Sequence, residues 1–383
     1  MRVTAVQLTD FRSYAQAQAE LGPGVTTLIG RNGQGKTNFV EALRYLSTLS
    51  SHRVATDAPL IRVGQSSATV RARVEKAGRS LMLEVTINAG GVANQARIGS
   101  NAVRPRELLG ILRTVIFAPE DLELVKGDPA ARRRFLDELC VALQPALAGD
   151  LSDYDRVLRQ RVSMLKTAKA ARGDLTMLDI WDEKLAELGG RIVAARLRAI
   201  AALAPWVERA YADVAPGAAT CAISYVSSFL LPEGSDAGDA DAGAIGQAML
   251  AALRDRRAQE IERGVTLGGP HRDDLAIMLG ELPAKGYASH GESWSCALAL
   301  RLGTYDLLTK GDDPMAADDG EPVLILDDVF AELDSSRRAA LARRVGEASQ
   351  VLITAAVAQD VPAELVGDVI YVTAGELSTE APA

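Results

Sequence analysis

The segment Val25-Thr26-Thr27-Leu28-Ile29-Gly30-Arg31-Asn32-Gly33-Gln34-Gly35-Lys36-Thr37 runs from an apolar, strand-like stretch through a glycine-rich turn into a helical pattern of apolar residues at Phe39, Val40, Leu43 and Leu46. Its centre, Gly30 to Thr37, satisfies G-x-x-x-x-G-K-[ST]. Each residue type has a task there. Glycines let backbone N–H groups converge on phosphate oxygens, Lys36 brings a compact positive charge to the β- and γ-phosphates, and the Thr37 hydroxyl is placed to ligate Mg2+. The helix that follows adds the positive end of its dipole. A glycine-rich turn that binds nothing is the alternative, and the strand and helix standing in their expected places weigh against it.

Far along the chain the apolar Val323-Leu324-Ile325-Leu326 ends in Asp327-Asp328. A carboxylate at the C-terminal end of a buried strand can hold the Mg2+ that the Thr37 hydroxyl also sees, which makes Asp327 the metal candidate. Asp328 can orient an attacking water. A strand closing in a polar turn is the plain alternative. Guanine-nucleotide switches would carry an NKxD motif, which is absent, and simple phosphate-loop kinases have a shorter interval. A large insertion between the motifs, with Ala331-Glu332-Leu333-Asp334 directly after the second, resembles the ATP-binding-cassette class. A cassette signature should then open a helix upstream. Ser289-His290-Gly291-Glu292-Ser293 stands there, so Ser289 and Gly291 are candidates for a γ-phosphate presented by a second subunit, against the simpler reading of a serine N-cap.

The 383 residues suggest about two domains, and no apolar run approaches the roughly 18 residues of a membrane span. The opening MRVTAVQLTD reads as a strand and lacks the regions of a secretory signal, so a cytoplasmic, nucleoid-associated protein is expected. Cys140, Cys221 and Cys296 lie far apart and suit neither a disulfide framework nor a metal site, and His52, His271 and His290 show no zinc-type pairing. The net charge of -8 speaks against nucleic acid only at face value. Residues 1–113 hold 15 Lys+Arg against 7 Asp+Glu, whereas residues 301–383 hold 6 against 16.

Strand-like stretches crowd the first 118 residues, and after Pro119 the pattern turns helical, interrupted at Gly173 and Gly189-Gly190. Strand-like CAISYVSSFLL, a Gly/Asp-rich loop from Pro232 to Gly243 and a helix from about Ile245 to Arg263 follow. Strand-like GVTLGG and LAIMLG, an acidic loop from Gly311 to Pro322 and three apolar strands complete the chain. The two loops are expected to be mobile. The expected fold is α/β, a discontinuous ATPase head formed by 1–118 and 263–383 with an inserted, mainly helical lobe at 119–262.

The chain resembles the RecF family of recombination mediators over almost its whole length. The resemblance rests on Asp10-Phe11-Arg12-Ser13-Tyr14, the phosphate loop, Ser51-His52-Arg53, Pro119-Glu120-Asp121-Leu122, Gly269-Pro270-His271-Arg272-Asp273-Asp274, the Ala288-Ser289-His290-Gly291-Glu292 signature and Asp327-Asp328-Val329-Phe330-Ala331-Glu332-Leu333-Asp334. It implies an SMC-like, cassette-type ATPase head, ATP and Mg2+ as cofactors, and dimerisation when ATP is sandwiched between the phosphate loop of one subunit and the signature of the other. It implies binding to gapped or junction DNA, cooperation with RecO and RecR, and loading of RecA onto gaps coated by single-strand-binding protein. Asp328 in place of a longer glutamate implies slow hydrolysis suited to a switch. Arg12, Arg31 and Asn32 are implied secondary nucleotide contacts, while Gly30, Gly33, Gln34, Gly35, Lys36 and Thr37 bind phosphate. An ATPase subunit of a transporter, which would need a membrane partner, or another SMC-like ATPase is the competing reading.

The sequence departs from cassette relatives at Trp294, a signature position often basic, and at Thr354, near where a switch histidine would be sought. No lid glutamine is evident, although Glu120 or Asp121 falls in the comparable stretch. Arg44, Arg53, Arg62, Arg71 and Arg73, with Lys76, Arg79, Arg104 and Arg106, are candidates for sequence-independent contacts to DNA phosphates. Arg132-Arg133-Arg134 and the cluster Arg156, Arg159, Arg161, Lys166 and Lys169 are weaker ones.

Overall fold

The computed structural model describes residues 1–171, 176–235, 239–311 and 320–381. Residues 236–238 and 312–319 of the two expected loops, Gly173 with its expected helix interruption, and the side chain of Lys169 lie outside the described residues. Along the chain, β1 (Arg2–Phe11), β2 (Tyr14–Glu20) and β3 (Gly24–Ile29) lead into α1 (Lys36–Thr48), and β4 (Ser67–Lys76), β5 (Arg79–Asn88), β6 (Gln95–Ile98), β7 (Asn101–Val103) and β8 (Thr114–Phe117) follow. Next come α2 (Pro129–Leu143), α3 (Leu147–Ala171), α4 (Thr176–Val214), β9 (Cys221–Val226), α5 (Ala242–Asp255), α6 (Arg257–Arg263), β10 (Asp274–Leu279) and β11 (Leu282–Pro283). The chain closes with α7 (His290–Lys310), β12 (Val323–Asp327), α8 (Ser335–Val345), β13 (Gln350–Ala355), β14 (Gly367–Thr373) and β15 (Glu376–Ser378).

These elements form two compact units. One comprises Met1–Leu122, Glu208–Ala218 and Ser289–Ala383, the other Glu123–Val207 and Ala219–Ala288. The division expected from sequence therefore differs at 119–122 and 208–218, which fall in the first unit, and at 263–288, which join the second. The reason is strand pairing, because β10 runs antiparallel to β9 from Asp274↔Val226 to Leu279↔Cys221. Residues 264–269, read as a strand, instead form an irregular turn whose backbone bonds to side chains. Gly269 N–H donates to Ser228 Oγ at 2.8 Å, and the Thr266 carbonyl accepts from Arg272 Nε at 3.1 Å.

In the first unit two six-stranded sheets enclose α1. One is antiparallel, in the order β2-β1-β4-β5-β6-β7. The other, β15-β14-β3-β13-β12-β8, is parallel from β14 to β8 with β15 antiparallel at its edge. α1 touches β1, β4 and β5 on one side and β8, β12 and β13 on the other. Phe39, Val40, Leu43 and Leu46, the residues that marked the helix in sequence, are fully buried in that shared core. β12 and β13, inside the parallel run, are buried along their whole length because both of their faces are covered.

The second unit packs helices around a small sheet in the order β11-β10-β9. Gly189-Gly190 does not interrupt the helix but lies inside the 39-residue α4. A Cβ on Gly190 would fall 2.3 Å from the Ala242 carbonyl oxygen, so the two glycines are places where α5 approaches α4 closely rather than helix breaks. The Gly-Pro-His-Arg-Asp-Asp motif is consumed in this unit's internal bonding. Asp273 accepts from Ser228 N–H at 2.7 Å, His271 Nδ1 pairs with Tyr154 Oη at 2.8 Å, and Arg132 grips Asp274 with two bonds of 2.7 and 2.9 Å.

Arg161 is fully buried, so it is not a surface candidate for DNA. Its guanidinium donates to Asp182 and Glu260, both fully buried, at 2.6 Å each, and to Thr266 Oγ1 at 2.8 Å. Arg132 is likewise buried. Removing one member of such a cluster strands opposite charges in an apolar surround. Arg161→Leu is expected to cost about 3–5 kcal/mol in urea unfolding followed by circular dichroism, because Asp182 and Glu260 lose a shared partner.

Candidate functional site

The C-terminal ends of the parallel strands converge on one edge, where the strand register sets two polar side chains beside the strand that leads into the phosphate loop. Asp327 on β12 stands beside Thr354 on β13, and Thr354 beside Leu28 on β3, which leads to Gly30. In open α/β sheets this edge is where ligands bind. Thr37 Oγ1 donates to Asp327 Oδ1 at 3.0 Å, and Thr354 Oγ1 donates to the same oxygen at 2.7 Å. Thr354 Oγ1 in turn accepts from Asp328 N–H at 2.9 Å. Thr354 therefore locks both aspartates in place, a role that its β-strand pattern gave no means of reading.

The loop between β3 and α1 is held in shape by its own chain. Gly35 has φ 119°, a left-handed conformation that favours glycine, and an added Cβ would fall 3.0 Å from Tyr14 Oη. Tyr14 Oη donates to the Gly35 carbonyl at 2.9 Å, and burial pushes its phenol well above the ordinary range. Gln34 is tied to the turn after β14, since its Oε1 accepts from Ala374 N–H at 2.6 Å and its carbonyl accepts from Gly375 N–H at 3.1 Å. Lys36 Nζ donates to the Gly30 carbonyl at 2.8 Å and the Arg31 carbonyl at 3.4 Å, inside the curve where an anion would sit. Arg31, Asn32 and Gly33 are exposed on the rim.

Asp328 adopts φ 52°, the left-handed region that a residue with a Cβ rarely occupies. Such strain is tolerated where the surroundings fix it, and it concentrates at functional positions. Burial raises the Asp328 carboxyl above its ordinary value of 3.8, with Lys36 opposing the rise and Asp327 adding to it.

Arg12, expected near the nucleotide, has φ 54° and donates through Nε and Nη2 to Glu41 at 2.8 and 2.7 Å and through Nη1 to the Pro59 carbonyl. Its charge is matched by Glu41, a fully buried residue of α1 that the apolar periodicity concealed. Glu41 also accepts from Ser51 Oγ and from Arg53, which reaches Asn38 Oδ1 at 3.0 Å as well.

The signature residues stand at the start of α7. Ser289 is its exposed N-cap, accepting from Glu292 N–H at 3.2 Å while Glu292 accepts from Ser289 N–H at 2.8 Å. No hydrogen bond joins Ser289 or Gly291 to the phosphate loop among the described residues. The Arg337 guanidinium packs over Gly291, donates to Ser295 Oγ at 2.8 Å and pairs with Asp334. Trp294 is buried beneath the helix start. Asp121 is not free, since both oxygens are taken, by Arg301 on α7 at 2.6 Å and by Ala118 N–H at 3.0 Å.

The DNA candidates separate. Arg44 is buried on α1, because the charge sits on a helix covered from both sides, and it offers no surface for phosphate. Arg62 is half-buried and pairs with Asp10, Arg71 is exposed and pairs with Glu84, and Arg73, Arg79, Arg104 and Arg106 are exposed.

A hydroxyl and a carboxylate sharing one contact at the mouth of a phosphate loop are oxygen donors of the kind Mg2+ takes, and Asp327 Oδ2 makes no hydrogen bond among the described residues, so the residues fit that ion. Among the described residues no helix is long and apolar enough to cross a membrane.

The profile of the RecF/RecN/SMC N-terminal domain family matches residues 2–373. The DNA replication and repair protein RecF of Streptomyces avermitilis is 54% identical over 98% of this chain and 99% of its own length. That of Frankia alni is also 54% identical, over 98% and 99%. A solved structure of the recombination mediator protein RecF with ATP in the RecFOR pathway superposes with a TM-score of 0.88 at 27% identity, covering 99% of this chain and 97% of its own. An SMC head bound to the C-terminal winged-helix domain of ScpA shares the fold at a TM-score of 0.53 and 15% identity, with 98% and 97% covered.

The raised Asp328 carboxyl makes its ionised form a burden on the folded state at neutral pH, and that burden fades as the pH falls through the raised value. Asp328→Asn is expected to raise Tm at pH 7, with the gain shrinking as the pH approaches 3.8. Thermal scans across that range check it, and a gain independent of pH would contradict the assigned cause.

Proposed function

The chain belongs to the RecF family, and on that footing we propose that it is an ATP-dependent DNA-binding protein of recombinational repair that dimerises on ATP and is released by slow hydrolysis. The observation that carries the reading is the meeting of Lys36, Thr37, Asp327, Asp328 and Thr354 at one strand edge. Full-length likeness to RecF, including a structure with ATP, supports it.

The Thr37 hydroxyl and the Asp327 carboxylate would hold Mg2+, which when bound neutralises charge developing on the transferred phosphoryl group. Lys36 exchanges the Gly30 and Arg31 carbonyls for phosphate oxygens, so its present contacts keep it extended for that task. Asp328 orients the attacking water, and Thr354 holds its backbone. Ser289 and Gly291 close the site from the second subunit, where the exposed N-terminus of α7 meets the γ-phosphate. Arg73, Arg79, Arg104 and Arg106 offer exposed charge for duplex phosphates near a gap, and Arg53, Arg62 and Arg71 would first have to loosen their carboxylate pairs. Within the RecFOR pathway, RecO and RecR would cooperate in loading RecA onto gaps coated by single-strand-binding protein, in the cytoplasm at the nucleoid.

Sedimentation of wild type and Lys36→Met with ATP and gapped duplex tests this. Wild type should migrate as a DNA-bound dimer whose DNA contact weakens with salt, and the variant as a monomer. Dimerisation on ATP without salt-sensitive DNA binding would sink the repair reading. Asp328→Asn should lower phosphate release by about 100-fold or more, and unchanged turnover would mean that Asp328 does not position water.

A further inference from the structure

We propose that His52 is a positioning residue for the metal of this site, hydrogen-bonding through Nε2 to a water in the coordination shell of the ion held by Asp327 and Thr37. The inference rests on the nucleotide reading above and adds a residue to it. The His52 side chain is only 7% exposed, and neither ring nitrogen has a hydrogen-bond partner among the described residues. A buried imidazole with both nitrogens idle is rare, because each was bonded to water in the unfolded chain.

The ring is aimed by its neighbours. Ser51 Oγ donates to Glu41 on α1 and accepts from Arg53 N–H at 3.0 Å and Val54 N–H at 3.2 Å, which knots the chain on either side of His52. This places His52 Nε2 3.9 Å from Asp327 Oδ2. That distance is too long for a direct hydrogen bond. It suits two atoms that both reach one water at about 2.8 Å. Asp327 Oδ1 is already occupied by the hydroxyls of Thr37 and Thr354, so Oδ2, the oxygen facing His52, is the one left for the ion or its water. Mg2+ retains several of its waters when protein-bound, and groups that hold such outer ligands tune metal affinity.

The test is binding of a fluorescent ATP analogue to the full chain as Mg2+ is titrated, with a parallel measurement in EDTA. His52→Ala should need about tenfold more Mg2+ for half-maximal tightening, keep wild-type affinity in EDTA, and recover most of the loss as His52→Gln, which retains a hydrogen-bonding group. Mn2+ binding followed by electron paramagnetic resonance in the presence of ATP should weaken by a similar factor in His52→Ala. An unchanged Mg2+ requirement in His52→Ala overturns the proposal and leaves the nucleotide reading standing. An equal loss with and without Mg2+ overturns it in favour of a purely structural side chain. Failure of wild type to bind the analogue would overturn the nucleotide reading and this proposal together.

Discussion

Every part of the first unit is arranged around a helix that has no solvent side. α1 lies between an antiparallel and a parallel sheet, so its apolar residues find cover on both faces, and its polar residues must find partners inside the protein. Glu41 takes Arg12, Ser51 and Arg53, and Ser47 Oγ lies 2.6 Å from Thr114 Oγ1 on β8. The N-terminus is where the helix meets solvent, and there its unpaired N–H groups face the loop that Lys36 spans. Burying the helix thus fixes both the shape of the phosphate loop and the direction in which it opens.

That same burial reaches the metal candidates. Because β3, β13, β12 and β8 run parallel and in register, their ends bring residues from distant parts of the chain to one line. Thr37 and Thr354 then share one oxygen of Asp327, which holds the carboxylate still and leaves its other oxygen facing His52. The Arg301 to Asp121 pair fastens the turn after β8 to α7, and Arg337 fastens the segment after β12 to the start of the same helix. The signature helix is therefore braced from two strand ends of its own unit.

Much of this was legible in sequence where one short segment performs the whole task. Gly30 to Thr37 carries its own strand, turn and helix, and Asp327-Asp328 closes a strand apolar enough to declare itself. Other residues were not legible because their role lies in a partner far along the chain. Arg44 read as a candidate for DNA phosphates and Glu41 drew no notice, since periodicity reports a face and not whether a second sheet covers it. Gly189-Gly190 read as a break, since sequence does not show that α5 passes close by. β2 went unread because alanines at Ala17 and Ala19 fill its inward positions and give little apolar contrast.

The sequence by itself determined the phosphate-loop pattern and the elements that carry it, because that loop's geometry depends on residues a few positions apart whose backbone freedom and charge are local properties. Tertiary structure alone decided which carboxylate oxygen faces the site, that Thr354 steadies both aspartates, that His52 points at Asp327, and which arginines are buried or paired with carboxylates. Each of these depends on distance and burial between segments separated by much of the chain, and no local pattern encodes the dielectric surroundings that a charge or an imidazole will meet when the sheets close around α1.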